Sequence, residues 1–202
     1  MARQMGSVSL KIAQPNILTP RLLLRLANQD DIAAIIKYFV DNKAYLTPFY
    51  PKWMNNFFTT QYWQNQVEAN LYEFQYRLSL RLFLFRQNNL EQDHLEIIGC
   101  INFTNFLGGS AQYCNVGYSL AEKEQGKGYM TEALKAASDY VFQEFNIHRI
   151  MANYIPHNQR SGNLLKRLNF VVEGYARDYL LINDKWEDHI LTSLTNSDWQ
   201  YK

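Results

Sequence analysis

Cysteine is scarce in this chain of 202 residues, which has only Cys100 and Cys114. Two thiols cannot build a disulfide framework, and both fall in stretches expected to be strands, where a buried, unreactive thiol is the ordinary state. Charge of one sign is missing as well: 20 Lys and Arg stand against 19 Asp and Glu, a net of +1. Without an excess there is no global field to draw the chain to DNA or to an anionic membrane. No apolar run approaches the ~20 residues of a transmembrane helix, and the N-terminus lacks the apolar core of a signal peptide. A soluble, cytoplasmic protein with no membrane partner and no direct DNA binding is expected. Repeats, low-complexity tracts and linkers are absent too. We therefore expect one domain over 16–200 behind a flexible segment 1–15 that shows no periodicity. Nucleotide motifs also fail, since no G-x-x-x-x-G-K-[ST] occurs and a G-x-G-x-x-G at Gly126 would need glycine at Thr131.

What is present is 47% apolar and 15% aromatic residues, a composition that packs into a core. The chain is organised around Tyr118–Met130 (YSLAEKEQGKGYM). Upstream, Tyr113–Tyr118 is rich in aromatic and β-branched residues, which favours a strand. Downstream, Met130, Ala133, Leu134, Ala137 and Val141 recur at helical spacing. Between them Gly126 and Gly128 let the backbone turn tightly and let a ligand come close. A glycine turn feeding a helix leaves free N–H groups and the positive dipole end aimed at one spot, a geometry that holds phosphate. The same pattern also serves as an ordinary strand-to-helix connection.

Taken in order, Ile17–Leu26 reads as a first strand, with Pro20 near its edge or start. Asn28, three residues before Asp31, marks a helix start whose inward stripe is Ile32, Ile35, Ile36, Phe39 and Val40. Tyr45–Trp53 crowds four aromatics around Pro48 and Pro51, either as an internal hydrophobic plug or as a substrate wall. A second helix is expected over about Thr59–Gln75, with Trp63, Val67, Leu71 and Phe74 on one face. Leu80–Phe85 is the next strand, Gln87–Asp93 a hairpin connection and Leu95–Phe106 the strand after it. Gly108-Gly109 then turns the chain into the strand before the glycine turn. The long helix ends near Phe145-Asn146, and Ile147–Ile155 forms another strand. Asn158 caps a short helix carrying Leu164, Leu165 and Leu168, and Phe170–Leu181 and Trp186–Thr195 close the chain. The order β-α-α-β-β-β-α-β-α-β-β is a mixed α/β arrangement.

With the glycine turn after its fourth strand, that order resembles the GNAT superfamily of acyl-CoA-dependent N-acetyltransferases. Its fingerprint [QR]-x-x-G-x-[GA] is similar to Gln125-Gly126-Lys127-Gly128-Tyr129-Met130, with Met130 in the last small position. A second signature, N-x-x-[AS]-x-x-x-x-x-x-x-G-F, is similar to Asn158–Phe170, with Ser161 in the small position and Asn169 in place of glycine. His148–Asn158, Arg160-Ser161-Gly162 and Glu173–Leu181 resemble the ribosomal-protein-alanine N-acetyltransferases within that superfamily, and the likeness runs from about Leu18 to Trp199.

The resemblance implies a central twisted, mostly antiparallel sheet with splayed fourth and fifth strands and helices on both faces. It implies acetyl-CoA as co-substrate and no metal. Backbone groups of Tyr118, Ser119 and Leu120 would pair with the pantetheine arm as an added strand does. Amides from Gln125, Gly126, Lys127, Gly128, Tyr129 and Met130 would take the pyrophosphate, and Asn158 would hydrogen-bond the pantetheine. The implied acceptor is the N-terminal peptide of a ribosomal protein, the fifth of the small subunit, with that subunit or its precursor as the wider partner.

In such enzymes the amine attacks the thioester directly, so neither cysteine is a required nucleophile. His148, His157 and His189 are expected as strand or cap residues. Proton transfer is the remaining need. Many relatives place a Tyr acid seven residues beyond the Asn, where this chain has Leu165. Ser161 is then the implied acid, although a Ser in a first helical turn also serves simply by bonding backbone. Glu173 is the implied base: beside Phe170, Val171 and Val172 its pKa would be raised, whereas at a solvated strand end it would not. Asp178 and Glu122 stand in reserve. An α-amine of pKa about 7.7–8.0 is roughly a third neutral near pH 7.5, against ~0.1% of a lysine, so a weak base suffices.

Two alternatives stay open: acetylation of a small amine, for which no acidic cluster is seen, and a non-catalytic acyl-CoA-binding, ribosome-associated module. Arg77, Arg81 and Arg86 read as a solvated face more readily than as an RNA contact.

Overall fold

Leucine and phenylalanine alternate along 80–86, and the alternation decides how the sheet is covered. In a strand, neighbouring side chains point to opposite faces. Leu80, Leu82 and Leu84 enter one buried cluster, and Phe83 and Phe85 enter another, so both faces need helices. A computed structural model, which describes residues 12–87 and 96–201, shows this arrangement.

Among the described residues the sheet has eight strands, in the order β1-β2-β3-β4-β5-β6-β8-β7. They are β1 (Asn16–Leu18), β2 (Leu22–Arg25), β3 (Leu80–Arg86), β4 (Ile97–Leu107), β5 (Tyr113–Leu120), β6 (Arg149–Tyr154), β7 (Val171–Ile182) and β8 (Lys185–Thr195). All neighbours are antiparallel except β5 and β6. The helices are α1 (Ile32–Asp41), α2 (Lys43–Leu46), α3 (Thr60–Gln75), α4 (Tyr129–Phe145) and α5 (Gln159–Arg167). Leu134, Ala137 and Val141 of α4 and Leu164 and Leu165 of α5 fill the cluster on one face. Ile35 and Phe39 of α1 and Trp63 and Val67 of α3 fill the other. A bulge opposite Leu84–Phe85 turns Ile97 and Cys100 to the α1–α3 side and Ile98 and Ile101 to the α4 side. Gly99 at that bulge lets β5 close in, because a Cβ there would stand 2.6 Å from the Ser119 carbonyl oxygen.

The expected order holds with two additions. Ile17–Leu26 is a hairpin, not one strand: the chain turns at Thr19–Arg21, where Pro20 cannot donate to a ladder, and β1 pairs back on β2. The expected fourth and fifth strands are therefore β5 and β6. A short α2 also follows α1. Asn28 and Asp31 form a reciprocal capping box before α1, but Tyr38 is buried where Val40 was expected, and Val40 is exposed. On α3, Asn70 replaces Leu71 inside. The Gln87–Asp93 connection from residue 88 onward, and 1–11 of the N-terminal segment, lie outside the described residues; Ile12 is tied to Gln75 by two hydrogen bonds. Among the described residues no helix is long and apolar enough to cross a membrane.

Candidate active site

The parallel pairing of β5 with β6 begins at Tyr113↔Arg149 and stops at Val116↔Ala152. On its other edge β5 stays paired with β4 as far as Leu120. Gly117–Leu120 thus keeps one edge of its backbone without a neighbouring strand, and the sheet opens there as a wedge. An extended ligand can add to such an edge by main-chain hydrogen bonds.

The glycine turn closes the outer end of the wedge. Gly126 and Gly128 have φ of 73° and 81°, a region costly for residues with a Cβ, and Gly128 is the N-cap of α4. A Cβ at Gly126 would meet nothing within 4 Å, so the loop faces open space in which an anion can settle. Seventeen residues of α4 direct their dipole at that spot. Arg21 braces the loop from behind, donating to the Lys127 carbonyl at 2.9 Å and to Glu132 at 2.6 Å.

A cavity of about 480 Å³ fills the wedge. Of the expected site residues, Tyr118, Ser119, Leu120, Gln125, Gly126, Gly128, Tyr129, Met130, Asn158 and Ser161 line it. Lys127 does not; its ammonium pairs with buried Glu124 at 3.1 Å. From the aromatic segment, Tyr45, Leu46, Phe49 and Tyr50 form the opposite wall of the cavity. Trp53 of the same segment turns inward, packing with Phe39, Phe57 and Phe58. Sequence reasoning missed Arg160 and Arg167, which line the cavity from α5. Their spacing of seven, two helical turns, was the available signal. Gln125 bridges the walls, donating to the Tyr45 hydroxyl and accepting from Arg160. Among the described residues the lining contains these two arginines and no carboxylate.

Ser161 and Tyr118 meet across the wedge with their hydroxyl oxygens 2.7 Å apart. Burial pushes the Tyr118 phenol up to about 12, although the bond to Ser161 pulls the other way. The Ser161 N–H donates to Asn158 Oδ1 at 3.2 Å, so Asn158 caps α5 and lines the cavity at once. Behind β5, Ser119 Oγ is the hub of a buried cluster, 2.8 Å from the Tyr38 hydroxyl and 3.2 Å from Cys100 Sγ. Burial raises both cysteines, Cys114 to about 12, which makes them poor nucleophiles.

Glu173, the implied base, stands apart. It does not line the cavity, and it pairs with Arg149 and with the Ser193 hydroxyl, each at 2.5 Å. Its carboxyl is lowered, first by the Ser193 hydrogen bond and also by Arg149, which matches the solvated strand-end reading and not the raised base. The physical reason is that Val171 and Val172 beside it are 64% and 61% exposed on the outermost strand, so no apolar pocket surrounds the acid.

Residues 21–171 match the family described as Acetyltransferase (GNAT) domain. The chain is 43% identical over 189 residues to the [ribosomal protein uS5]-alanine N-acetyltransferase of Escherichia coli (strain K12), covering 93% of this chain and 94% of that protein. The crystal structure of a ribosomal-protein-S5-alanine acetyltransferase from Vibrio fischeri is similar at 36% identity, with a TM-score of 0.86 over 93% of this chain and 100% of that one. RimJ of Mycobacterium smegmatis, solved in complex with CoA-disulfide, shares the fold at 24% identity, with a TM-score of 0.80 over 94% and 90% of the two chains.

Proposed function

The chain belongs to the GNAT acetyltransferase family, and we propose that it moves the acetyl group of acetyl-CoA to the α-amine of the N-terminal alanine of ribosomal protein uS5. The observation that carries this reading is the wedge itself: an unpaired strand edge that joins a left-handed glycine cradle to the Ser161 hydroxyl. The acceptor is taken from the relatives named for it, which match this chain over 93% of its length.

When bound, acetyl-CoA supplies an activated thioester that an amine can attack directly. The amides that begin α4, with Arg160 and Arg167, hold the diphosphate. The backbone of Gly117–Leu120 pairs with the pantetheine arm, and Asn158 faces it from α5. Ser161 Oγ holds the proton that the departing sulfur takes, because a hydroxyl donor lowers the cost of expelling a thiolate. Among the described residues no carboxylate lines the cavity, which suits an α-amine that is already partly neutral and disfavours a polycationic amine. The N-terminal peptide of uS5 is the immediate partner. The small ribosomal subunit or its precursor, in the cytoplasm, is where the protein would meet it.

The test is acetyl transfer to a peptide with N-terminal alanine, followed by intact mass and by release of free thiol. Transfer to the alanine peptide is the expected result. Retained acetyl-CoA binding with no transfer to any Ala-, Ser- or Thr-starting peptide would overturn it.

A further inference from the structure

Two hydroxyls 2.7 Å apart share one hydrogen bond, and whichever donates spends its hydrogen on the other. For Ser161 and Tyr118 this choice has a chemical consequence. If Ser161 donated, its hydrogen would be directed at β5 and away from anything bound in the wedge. If Tyr118 donates, the Ser161 hydrogen is left over. A phenol is a stronger acid than an alcohol and so the better donor, while the alcohol oxygen is the better acceptor. Burial keeps the phenol protonated throughout the neutral range. The pair is therefore ordered from Tyr118 to Ser161. Among the described residues Ser161 Oγ has no second hydrogen-bond partner, and Ser161 lines the cavity.

The backbone around the pair holds it in place. The Ser161 N–H is fixed by Asn158 Oδ1, which sets the first turn of α5. The next residue is Gly162, where a Cβ would stand 2.8 Å from the Tyr154 ring. Glycine there lets α5 lie against β6 closely enough for Ser161 to reach Tyr118, a residue 43 positions away.

We propose that Tyr118 is a positioning residue for the transfer: by donating to Ser161 Oγ, its hydroxyl turns the Ser161 hydrogen toward the sulfur that leaves. This rests on the acetyl-transfer reading above. As the carbon–sulfur bond breaks, its electron pair stays on sulfur and the Ser161 proton moves there. The proton shed by the attacking amine restores the Ser161 hydroxyl, so atoms and charge balance without a further reactant. Tyr118 keeps its own hydrogen and touches neither the acetyl carbon nor the amine.

Two measurements on the full chain test this. The first does not need turnover: coenzyme A is bound to wild type, Tyr118→Phe, Ser161→Ala and the double variant, and its thiol is titrated by thiolate absorption. A hydrogen aimed at sulfur favours the thiolate. Its loss in Tyr118→Phe should raise the titration midpoint by about one pH unit, a tenfold change in the thiolate-to-thiol ratio. The double variant should match Ser161→Ala. Burial raises both Cys100 and Cys114, the latter to about 12, and a parallel titration of the ligand-free protein subtracts what its own groups contribute. The second measurement is steady-state transfer to the alanine peptide. Tyr118→Phe should lower kcat by about 10–100-fold with KM for acetyl-CoA within about twofold, and its loss should vanish in a Ser161→Ala background. A thiol midpoint unmoved by Tyr118→Phe, or losses that multiply in the double variant, would overturn the proposal. Weaker coenzyme A binding with an unmoved midpoint would assign Tyr118 a merely structural role and would overturn it equally. Because the titration uses no acceptor, failure with the alanine peptide alone would count against the proposed function and leave this pair standing.

Discussion

Arg21, in the turn of the first hairpin, lies 2.6 Å from Glu132 in the first turn of α4 and also holds the Lys127 carbonyl at 2.9 Å. One side chain thus ties the edge of the sheet to the glycine cradle. The Arg21 backbone N–H adds a bond to the same carboxylate at 2.9 Å. These contacts do not touch the reacting atoms, so their effect should fall on binding. Arg21→Ala should weaken acetyl-CoA binding by about 3–10-fold, a modest loss because the side chain is 44% exposed and solvent screens it. Calorimetry would read the affinity, and kcat should stay close to wild type. A fall in kcat with unchanged affinity would show that the cradle is not what Arg21 braces.

The same carboxylate should make stability depend on acid. Burial alone raises Glu132, but hydrogen bonds from Thr19 and Arg21 outweigh it and the net value is lowered from 4.5. A group lowered on folding stabilises the native state above its unfolded pKa, and that contribution is lost as pH falls through the folded value. Glu132→Gln should therefore lower Tm by about 2–4 °C at pH 7, as expected for a pair worth about 1 kcal/mol in a chain of this size. Near pH 3 the difference from wild type should shrink. A deficit that is equal at both pH values would mean that charge is not involved.

Glu173 tests how far local sequence can be trusted. Its apolar neighbours left open a base of raised pKa or a solvated strand-end acid; Val171 and Val172 lie exposed on the outer strand, and the carboxylate is engaged by Arg149 and Ser193. Arg149 opens the closed end of the β5–β6 pairing, at the far end of β6 from the wedge. Glu173→Gln should accordingly keep kcat within about twofold of wild type in the alanine-peptide assay, since general-base loss would cost about 10²–10⁴-fold. A loss of that size would return the residue to the chemistry.

The Glu173 outcome and the successes share a cause. Periodicity reports which face of an element is apolar, and it found β3, α4 and the cap at Asn158 because those depend on neighbours in sequence. It did not see that Tyr38 could be buried by meeting Ser119, or Asn70 by accepting from Gln66 at 2.7 Å, while Val40 and Leu71 turned outward. Such partners lie on other elements or involve polar atoms that hydropathy ranks as surface. The glycine cradle was legible because it is one continuous stretch. The Tyr118–Ser161 pair was not, because it joins a strand to a helix across the wedge. The break at Pro20 was missed for a simpler reason: three residues of β1 are too few to show a period.

Among the described residues no carboxylate lines the cavity, and this has a kinetic consequence that separates the acceptor from the enzyme. If no side chain there takes the ammonium proton, the amine must arrive neutral, and the rate must follow the fraction of amine that is neutral. Below its pKa that fraction rises tenfold per pH unit. For an alanine peptide kcat/KM should climb with pH and level off near the amine's own pKa, about 7.7–8.0. Replacing the peptide by one with a more acidic α-amine should move the plateau down in step, with the same enzyme. A lysine ε-amine on a blocked peptide should react at least about 10²-fold more slowly near pH 7.5, from the neutral fraction alone. Tyr38 and Tyr50, both raised well above 10 by burial, offer no titration in this window. A pH profile that stayed fixed while the amine pKa was varied would place the titrating group on the enzyme and require a base outside the lining residues.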